Sequence, residues 1–213
     1  MATGTGTSES TFDFLPENLS YRSLKSASAE CRGCHLYKDA TQTVFGEGNL
    51  SSGVVFVGEQ PGDEEDLAGR PFVGPAGRLL DKALAEAGID REKIYLTNAV
   101  KHFKWKPQGK RRLHQKPNAA EITACDPWLR SELMLIQPRV LVCLGATAAQ
   151  SLLGKQFRVT QMRGQWLDSP LAKKTIATIH PSAILRTPGD MREQAYSEFV
   201  SDLIVIAEEI GAA

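Results

Sequence analysis

Two cysteines, two residues apart, are the first feature of this sequence that could carry chemistry. Cys31 and Cys34 lie in the sequence CRGCH at residues 31–35, and two thiolates at this spacing can bind one metal centre. The pattern also fits c-type haem attachment, a thioredoxin-like redox pair or two unrelated buried cysteines. Haem attachment needs export, for which the N-terminus offers no signal, and a redox pair normally follows a strand, whereas CRGCH precedes every predicted strand. Half of a metal or iron–sulfur site is the favoured interpretation.

A four-coordinate site needs two more ligands. Cys125 lies in a predicted helix and is one candidate. The other is contested between Cys143, within the predicted strand VLVCLG, and His102, which follows the end of another predicted strand. A side chain in the middle of a strand is fixed by sheet packing, whereas a loop can bend towards a cluster, so this geometry favours His102. Zinc would accept such a set as readily as an iron–sulfur centre, and the residues alone do not identify the metal.

A basic run is the second chemical feature. Residues 93–120 contain eight Lys and Arg and no Asp or Glu, although the whole chain balances 25 basic against 25 acidic residues. Within this run, Lys110, Arg111 and Arg112 form a triplet that is closely followed by His114. Such cations can bind DNA phosphates with an affinity that weakens with salt. A solvated surface is the alternative interpretation.

Four apolar runs must position these residues. Each lacks polar alternation, as expected for strands that are covered on both faces. Helical patterns alternate with the runs, which indicates right-handed βαβ crossovers. We therefore predict an α/β fold, a three-layer α/β/α sandwich with a central four-stranded parallel sheet. The four runs are GVVFVG (53–58), KIYLTNAV (93–100), RVLVCLG (139–145) and KTIATIH (174–180).

Length and composition fit one globular domain. The chain has 213 residues, of which 42% are hydrophobic and 23% charged, as in ordinary soluble proteins. We predict a flexible tail at residues 1–18 and a single domain at residues 19–213. No apolar run approaches the roughly 20 residues of a membrane span. A cytoplasmic, monomeric protein without membrane contact is the expectation.

The carboxyl ends of the predicted strands locate the site. In a parallel sheet, the loops that follow the strands build the binding site at one edge. These loops contain GEQPGDEED, TNAVKH, LGATAA and IHPS. We therefore expect the polar side chains of these loops to cluster there, namely Glu59, Gln60, Asn98, His102 and His180.

Six sequence blocks, in chain order, resemble one known family. They are CRGC, VGEQPGDEEDLAGRPFVGPAGRLLD, YLTNAVKH, ACDPWL, LGATAA and IHPSAILR. The blocks resemble the iron–sulfur uracil-DNA glycosylases of family 4, and the likeness extends from about residue 30 to residue 205. Two departures resemble the UdgX class, which stays covalently attached to DNA after it removes uracil. These are His102, where family 4 enzymes carry cysteine, and the inserted GKRRLH loop.

The resemblance implies a resident cofactor. It identifies the metal centre as a [4Fe-4S] cluster with the ligands Cys31, Cys34, His102 and Cys125. It leaves Cys143 as a core residue, in agreement with its position in a predicted strand.

A uracil pocket is also implied. Phe72 would stack on the base, and Gly58 and Asp63 would belong to the substrate site. Asn98 could donate to uracil O4 and accept from N3–H, which distinguishes uracil from cytosine. His180 would donate to uracil O2 as negative charge develops there. The alternative roles are a turn residue for Asn98 and a cap before a proline for His180.

In the UdgX class, the histidine of the basic loop attacks the sugar, and here it is His114. Glu59 would accept its proton or orient water, and Gln60 would hold the loop. The Lys-Arg-Arg triplet would bind DNA and disfavour a charged imidazole, whereas Glu59 would favour one, so the net direction stays open. Asp63 and Asp66 either point away from DNA or hold the basic loop.

Three functions follow from these residues. The first is a DNA-repair enzyme that excises uracil, preferably from single-stranded DNA, and becomes linked through His114 to C1′ of the abasic site. The second is a conventional multi-turnover family 4 enzyme. The third is a non-catalytic iron–sulfur DNA-binding module, against which Phe72, Asn98 and His180 argue, because a clamp has no use for a base-sized pocket.

Overall fold

A computed structural model describes residues 10–211, and in this range eight strands form a mixed sheet and a separate hairpin. The strands are β1 (Glu47–Gly48), β2 (Val54–Gly58), β3 (Tyr95–Asn98), β4 (Trp105–Gln108), β5 (Arg111–His114), β6 (Val140–Leu144), β7 (Trp166–Leu167) and β8 (Lys174–Thr178). The six-stranded sheet has the order β1-β3-β2-β6-β8-β7.

The four central strands confirm the predicted parallel sheet. β3, β2, β6 and β8 pair in parallel, while β1 and β7 add antiparallel edges. Each edge strand has only two residues, too few for a period-2 pattern to be recognised in the sequence. The predicted four-stranded sheet is thus confirmed as the centre of a wider one.

Helices cover both faces of the sheet. They are α1 (Tyr21–Ser28), α2 (Asp63–Ala68), α3 (Pro75–Glu86), α4 (Ala119–Ile136), α5 (Gly145–Leu153), α6 (Val159–Met162), α7 (Pro181–Arg186) and α8 (Asp190–Gly211). Alternate residues of the strands face opposite layers, so Val54 and Phe56 pack against α3 and α8, while Val55 and Val57 pack against α4 and α5. This arrangement is the predicted α/β/α sandwich. None of the helices within residues 10–211 combines the length and apolar character that a bilayer crossing requires.

The N-terminal segment lies partly outside the described residues. Residues 1–9 of the predicted tail are not described. Thr11–Phe14 forms a short 3₁₀ helix, and the buried Thr11 donates its hydroxyl to the backbone oxygen of Ala124 in α4. Part of the segment predicted as tail therefore contacts the folded domain.

A buried ion pair fixes the end of β3. Lys101 and Glu132 are paired, and each side chain is 1% exposed. The Lys101 ammonium also donates to Thr97 Oγ1 at 2.7 Å and to the Asn98 carbonyl at 2.8 Å. Glu132 accepts from the Tyr95 hydroxyl at 2.7 Å and from Thr97 Oγ1 at 3.0 Å. Because both charges are compensated by hydrogen bonds, the pair can stay in the core and hold the backbone at Asn98.

Lys101→Met should lower the free energy of unfolding by about 3–5 kcal/mol, because it leaves the Glu132 carboxylate buried without its counter-ion. Denaturant unfolding measures this cost. Lys82→Met is the matched control, since Lys82 is 68% exposed and should cost less than about 1 kcal/mol. Adding Glu132→Leu to Lys101→Met should recover part of the loss. Equal costs for the two single variants would contradict the structural role.

Candidate active site

Several predicted site residues lie close together at the carboxyl edge of the sheet, where β2 and β3 end side by side. A Cβ atom on Gly58 would overlap the Asn98 side-chain oxygen and lie 2.6 Å from Cζ of Phe72. The amide and the ring therefore meet over a backbone that has no room for a side chain. Asn98 and Phe72 are 3% and 4% exposed. Glycine at position 58 is thus a steric requirement of this arrangement.

Phe72, whose ring lies next to the Asn98 amide, has an unusual backbone conformation. Its φ is 55°, in the left-handed region that bulky residues rarely adopt. Its carbonyl accepts a hydrogen bond from Arg91 at 3.4 Å, and Gly77 of α3 lies so close that a Cβ there would overlap this carbonyl. The Phe72 ring is 6.1 Å from the ring of His180, with an interplanar angle of 30°. The surrounding structure therefore holds the two rings next to each other.

His180 is held as a neutral ring. It precedes α7, and its Nδ1 accepts the backbone N–H of Ser182 at 3.1 Å. The proton of the neutral ring therefore lies on Nε2, the nitrogen that can face a ligand. Burial lowers the pKa of His180 to about 4, and the charges of Arg186 and His114 act in the same direction. The capping role considered from the sequence coexists with a donor role, because the two use different nitrogens.

The basic loop is an ordered hairpin. β4 and β5 pair antiparallel, with Trp105 opposite His114, and Gly109 takes a φ of 58° in the turn. Alternation along β5 places Arg112 and His114 on one face and Arg111 on the other. His114 is therefore presented by a strand rather than by a flexible loop.

Arg112 is half-buried and packs against acidic residues of α2. Its guanidinium pairs with Asp63 and, at 2.6 Å, with Asp66, which is fully buried. It also lies 5.4 Å from the ring centroid of Phe103 and 5.6 Å from that of Trp105. The acidic segment thus holds the basic hairpin, which decides between the two alternatives for Asp63 and Asp66. In the structure, the Arg112 guanidinium pairs with protein carboxylates and the Asp63 carboxylate pairs with Arg112. The predicted DNA contact of Arg112 and the predicted substrate contact of Asp63 stay predictions.

Gln60 fixes the base of the hairpin. Its amide nitrogen donates to the carbonyls of Lys104 and Gln115, at 3.2 and 3.1 Å, and its oxygen accepts the Lys104 N–H at 3.2 Å. These two residues flank the hairpin on either side. One amide therefore holds both ends of the element that carries His114.

His114 faces Glu59. Its Nε2 lies 3.5 Å from Glu59 Oε1, and the side chains are 45% and 22% exposed. The other carboxylate oxygen accepts the hydroxyl of Thr147 in α5. Burial lowers the pKa of His114, with Glu59 opposing and Arg186 acting in the same direction. The lowered pKa of His114 favours the neutral form of the imidazole, which carries a lone pair on one ring nitrogen.

Arg186 is the cation that affects both histidines, not the Lys-Arg-Arg triplet that the sequence suggested. It lies in the block IHPSAILR, at the end of the helix that His180 caps. Lys110 and Arg111 are exposed at the hairpin tip and make no ion pair with any residue in the 10–211 range. Their side chains are free to contact an anionic partner.

The predicted metal ligands lie in one region of the fold, near α1, α4 and the end of β3, without being grouped around a single point. Cys31, Cys34 and Cys125 belong to one buried cluster, and Cys31 and His102 line a cavity of about 220 Å³. Burial raises the pKa of Cys125 to about 12 and lowers that of His102 to about 4. Cys143 lies in β6 within a different core cluster, as expected.

Hydrogen bonds to sulfur support two of these ligands. The Trp128 indole N–H donates to Cys31 Sγ at 3.2 Å, and the Lys101 amide donates to Cys125 Sγ at 3.1 Å. Such bonds suit cluster thiolates, whose charge they stabilise. Among the described residues, no three His, Cys, Asp or Glu side chains are grouped so that they could hold one metal ion. The donors therefore fit a cluster in chemical type, without forming a closed site for a single ion.

The sequence is similar to a known protein family and to several known proteins. A family model described as "Uracil DNA glycosylase superfamily" matches residues 45–204. A type-4 uracil-DNA glycosylase of Thermotoga maritima is 45% identical over 158 residues, 74% of this chain and 79% of that protein. A type-4 enzyme of Archaeoglobus fulgidus is 40% identical over 176 residues, 79% of this chain and 84% of that protein. A type-5 enzyme of Pyrobaculum aerophilum is 31% identical over 168 residues, 71% and 70% of the two chains.

Arg112→Gln should accelerate amide hydrogen exchange across residues 105–114 by about tenfold or more, because a hydrogen bond to a charged group contributes about 1.5–3 kcal/mol. Mass spectrometry of deuterium uptake measures the rate. Arg111→Gln changes the exposed neighbour and should leave exchange unaltered. If both variants exchange like the native chain, Arg112 does not anchor the hairpin.

Proposed function

This chain belongs to the uracil-DNA glycosylase superfamily, and from this premise we propose that it excises uracil from DNA and then bonds through His114 to C1′ of the sugar. The names of its type-4 relatives support excision. The observation that carries the covalent step is the position of His114, a neutral imidazole 3.5 Å from the Glu59 carboxylate on an anchored hairpin.

Uracil recognition uses a proposed base pocket beside Gly58. A base must leave the stack before an enzyme can act on it. The Phe72 ring provides a stacking wall, and the Asn98 amide donates to O4 and accepts from N3–H. Cytosine would place an amino group opposite a donor and an unprotonated nitrogen opposite an acceptor, so the amide would be left unpaired. Because Gly58 has no side chain, the Asn98 amide and the Phe72 ring can both lie against its backbone.

Bond cleavage places negative charge on uracil. The electron pair of the C1′–N1 bond passes to the base, and O2 carries much of the resulting charge. His180 donates its Nε2–H to O2, as an oxyanion hole does, because Nδ1 is already occupied by Ser182. The low pKa of His180, about 4, keeps the ring neutral at physiological pH.

The sugar cation that remains at C1′ is captured by His114. One imidazole nitrogen forms the bond to C1′, and the other passes its proton to Glu59, so that the ring ends neutral. In the conventional alternative, Glu59 orients a water molecule that attacks C1′ instead. The Nε2-to-Oε1 distance of 3.5 Å supports the first route, because it places the imidazole next to the carboxylate that would accept its proton.

Exposed cations of the hairpin form the proposed DNA surface. Lys110 and Arg111 take this role, whereas Arg112 anchors the hairpin from within. Neutralising phosphates gives affinity for any DNA sequence. Single-stranded DNA is the preferred substrate, because an unpaired uracil enters the pocket at a lower energetic cost. The cytoplasmic location and the monomeric state stay predictions.

A [4Fe-4S] cluster is the proposed cofactor, with Cys31, Cys34, His102 and Cys125 as ligands. When bound, it would link the segment before β1 to α4 and to the end of β3, so that metal binding contributes to folding. The buried thiols and the neutral imidazole suit this role, and N–H groups stand against two of the sulfurs.

Cys125→Ser should abolish the visible absorbance of the cluster and lower the iron and sulfide content of purified protein, because one ligand is lost. Cys143→Ala is the matched control and should retain both signals, since Cys143 lies in β6 among apolar residues. Equal cofactor loss in the two variants, or none in Cys125→Ser, would reject the ligand set.

The covalent step is tested by mixing the protein with a uracil-containing single-stranded oligonucleotide and separating the products under denaturing conditions. The native chain should form a shifted, denaturant-resistant band. His114→Ser should lose this band and still release uracil, because the pocket and His180 are unchanged. Lys82→Gln, whose side chain is 68% exposed on α3 and has no proposed role in DNA binding, serves as the control and should keep the band.

Two other outcomes identify the alternatives. Repeated uracil release by the native chain on excess DNA, without the band, would indicate a conventional type-4 enzyme. Equal affinity for DNA with and without uracil, without uracil release, would indicate a non-catalytic DNA-binding module.

A further inference from the structure

The two carboxylate oxygens of Glu59 have different partners. This arrangement affects how His114 would capture the sugar cation at C1′. Oε1 faces His114 at 3.5 Å, while Oε2 accepts the Thr147 hydroxyl. We infer that Thr147 is a positioning residue, which holds the carboxylate in the rotamer that takes the His114 proton. This inference rests on the proposed covalent function and adds a residue to it.

The hydroxyl group of Thr147 is buried next to apolar residues, where it requires a hydrogen-bond partner. Thr147 is 3% exposed in the first turn of α5, and the residues that follow it, Ala148 and Ala149, pack in an apolar core cluster. A hydroxyl buried there without a partner would carry a desolvation cost of about 1–3 kcal/mol. The Glu59 carboxylate satisfies it, although the two residues are 88 positions apart in the chain.

The start of α5 is itself fixed against the site. Gly145 has a φ of 86°, and a Cβ atom on it would lie 2.8 Å from Cβ of His180. The helix therefore begins in close contact with the backbone that presents His180. A side chain in its first turn has a defined position relative to both His180 and Glu59. Thr147 can thus orient Glu59 more strictly than a residue on a loop could.

Without the Thr147 hydroxyl, the carboxylate is free to turn away from His114. Capture by His114 then lacks its proton acceptor, and water competes for C1′. The water oxygen bonds to C1′ and its proton passes to solvent, which leaves a free abasic site. Breakage of the C1′–N1 bond uses Asn98 and His180 and is not affected directly. Loss of Thr147 should therefore change how the reaction divides between adduct and abasic product.

Thr147→Val removes the hydroxyl and keeps the shape of the side chain. We expect uracil release to stay within about threefold of the native rate and the adduct fraction to fall about tenfold, as the loss of a hydrogen bond to a charged group would cause. Thr147→Ser keeps the hydroxyl and should restore the adduct. Thr175→Val, another buried threonine whose hydroxyl has no partner, is the matched control and should behave like the native chain.

A folding control and two outcomes decide whether Thr147 is a positioning residue. Thermal unfolding of every variant shows whether it is folded, and Thr147→Ala provides a smaller replacement if valine does not pack. An unaltered adduct fraction in folded Thr147→Val, or no restoration by serine, would overturn the positioning role. A native chain that forms no adduct would overturn the proposed function and this inference together. If the native chain forms the adduct and folded Thr147→Val forms as much, only this inference is overturned.

Discussion

The ion pair between Lys101 and Glu132 is the interaction on which the two chemical parts of this protein depend. Its ammonium holds the carbonyl of Asn98, the proposed uracil-selecting residue. The backbone N–H of the same lysine donates to the sulfur of Cys125, a proposed cluster ligand. Glu132 brings α4 to this point, and each partner is 1% exposed. A buried ion pair adds little net stability by itself, but it fixes geometry, because either charge left alone would be costly.

The hairpin is a basic element in a chain whose formal net charge is zero. Asp63 and Asp66 neutralise Arg112 inside the protein, so part of the positive charge serves the fold and the rest, on Lys110 and Arg111, remains at the surface. Anchoring by α2 and by Gln60 means that His114 is positioned before DNA arrives. Attack on a short-lived sugar cation requires such preorganisation, since a misplacement of about 1 Å can cost orders of magnitude in rate.

The two histidines of the site depend on burial for the same property. In the proposed reaction, His180 donates from Nε2 and His114 offers a lone pair, and both tasks suit a neutral ring. Desolvation is the largest cause of the lowered pKa in each case, and the charge of Arg186 reinforces it. Glu59 raises the pKa of His114 without reversing the direction, because the carboxylate lies at 3.5 Å and is itself partly exposed. One environment thus favours the neutral ring that each of the two proposed roles, proton donation and nucleophilic attack, requires.

The sequence by itself determined the central sheet and the edge at which the site lies. Runs of Val, Ile and Leu without polar alternation can satisfy their backbone only inside a covered parallel sheet, and the loops after such strands must meet at one edge. This reasoning located Glu59, Asn98 and His180, because each lies at or just after the end of a central strand, whereas their proposed roles rest on uracil chemistry and on the resemblance to family 4 enzymes. It missed β1 and β7, whose two residues each carry no recognisable period.

Only the tertiary structure decided which groups touch. The partner of Arg112 lies 49 residues away along the chain and that of Thr147 lies 88 residues away, and no periodic pattern encodes a contact across such distances. The direction of the pKa shift of His114 also needed coordinates, since burial and the charge of Arg186 lower this pKa while the charge of Glu59 raises it, and the balance depends on distance. Local patterns fix which elements form, whereas the packing of those elements fixes the electrostatics and the hydrogen bonds of the site.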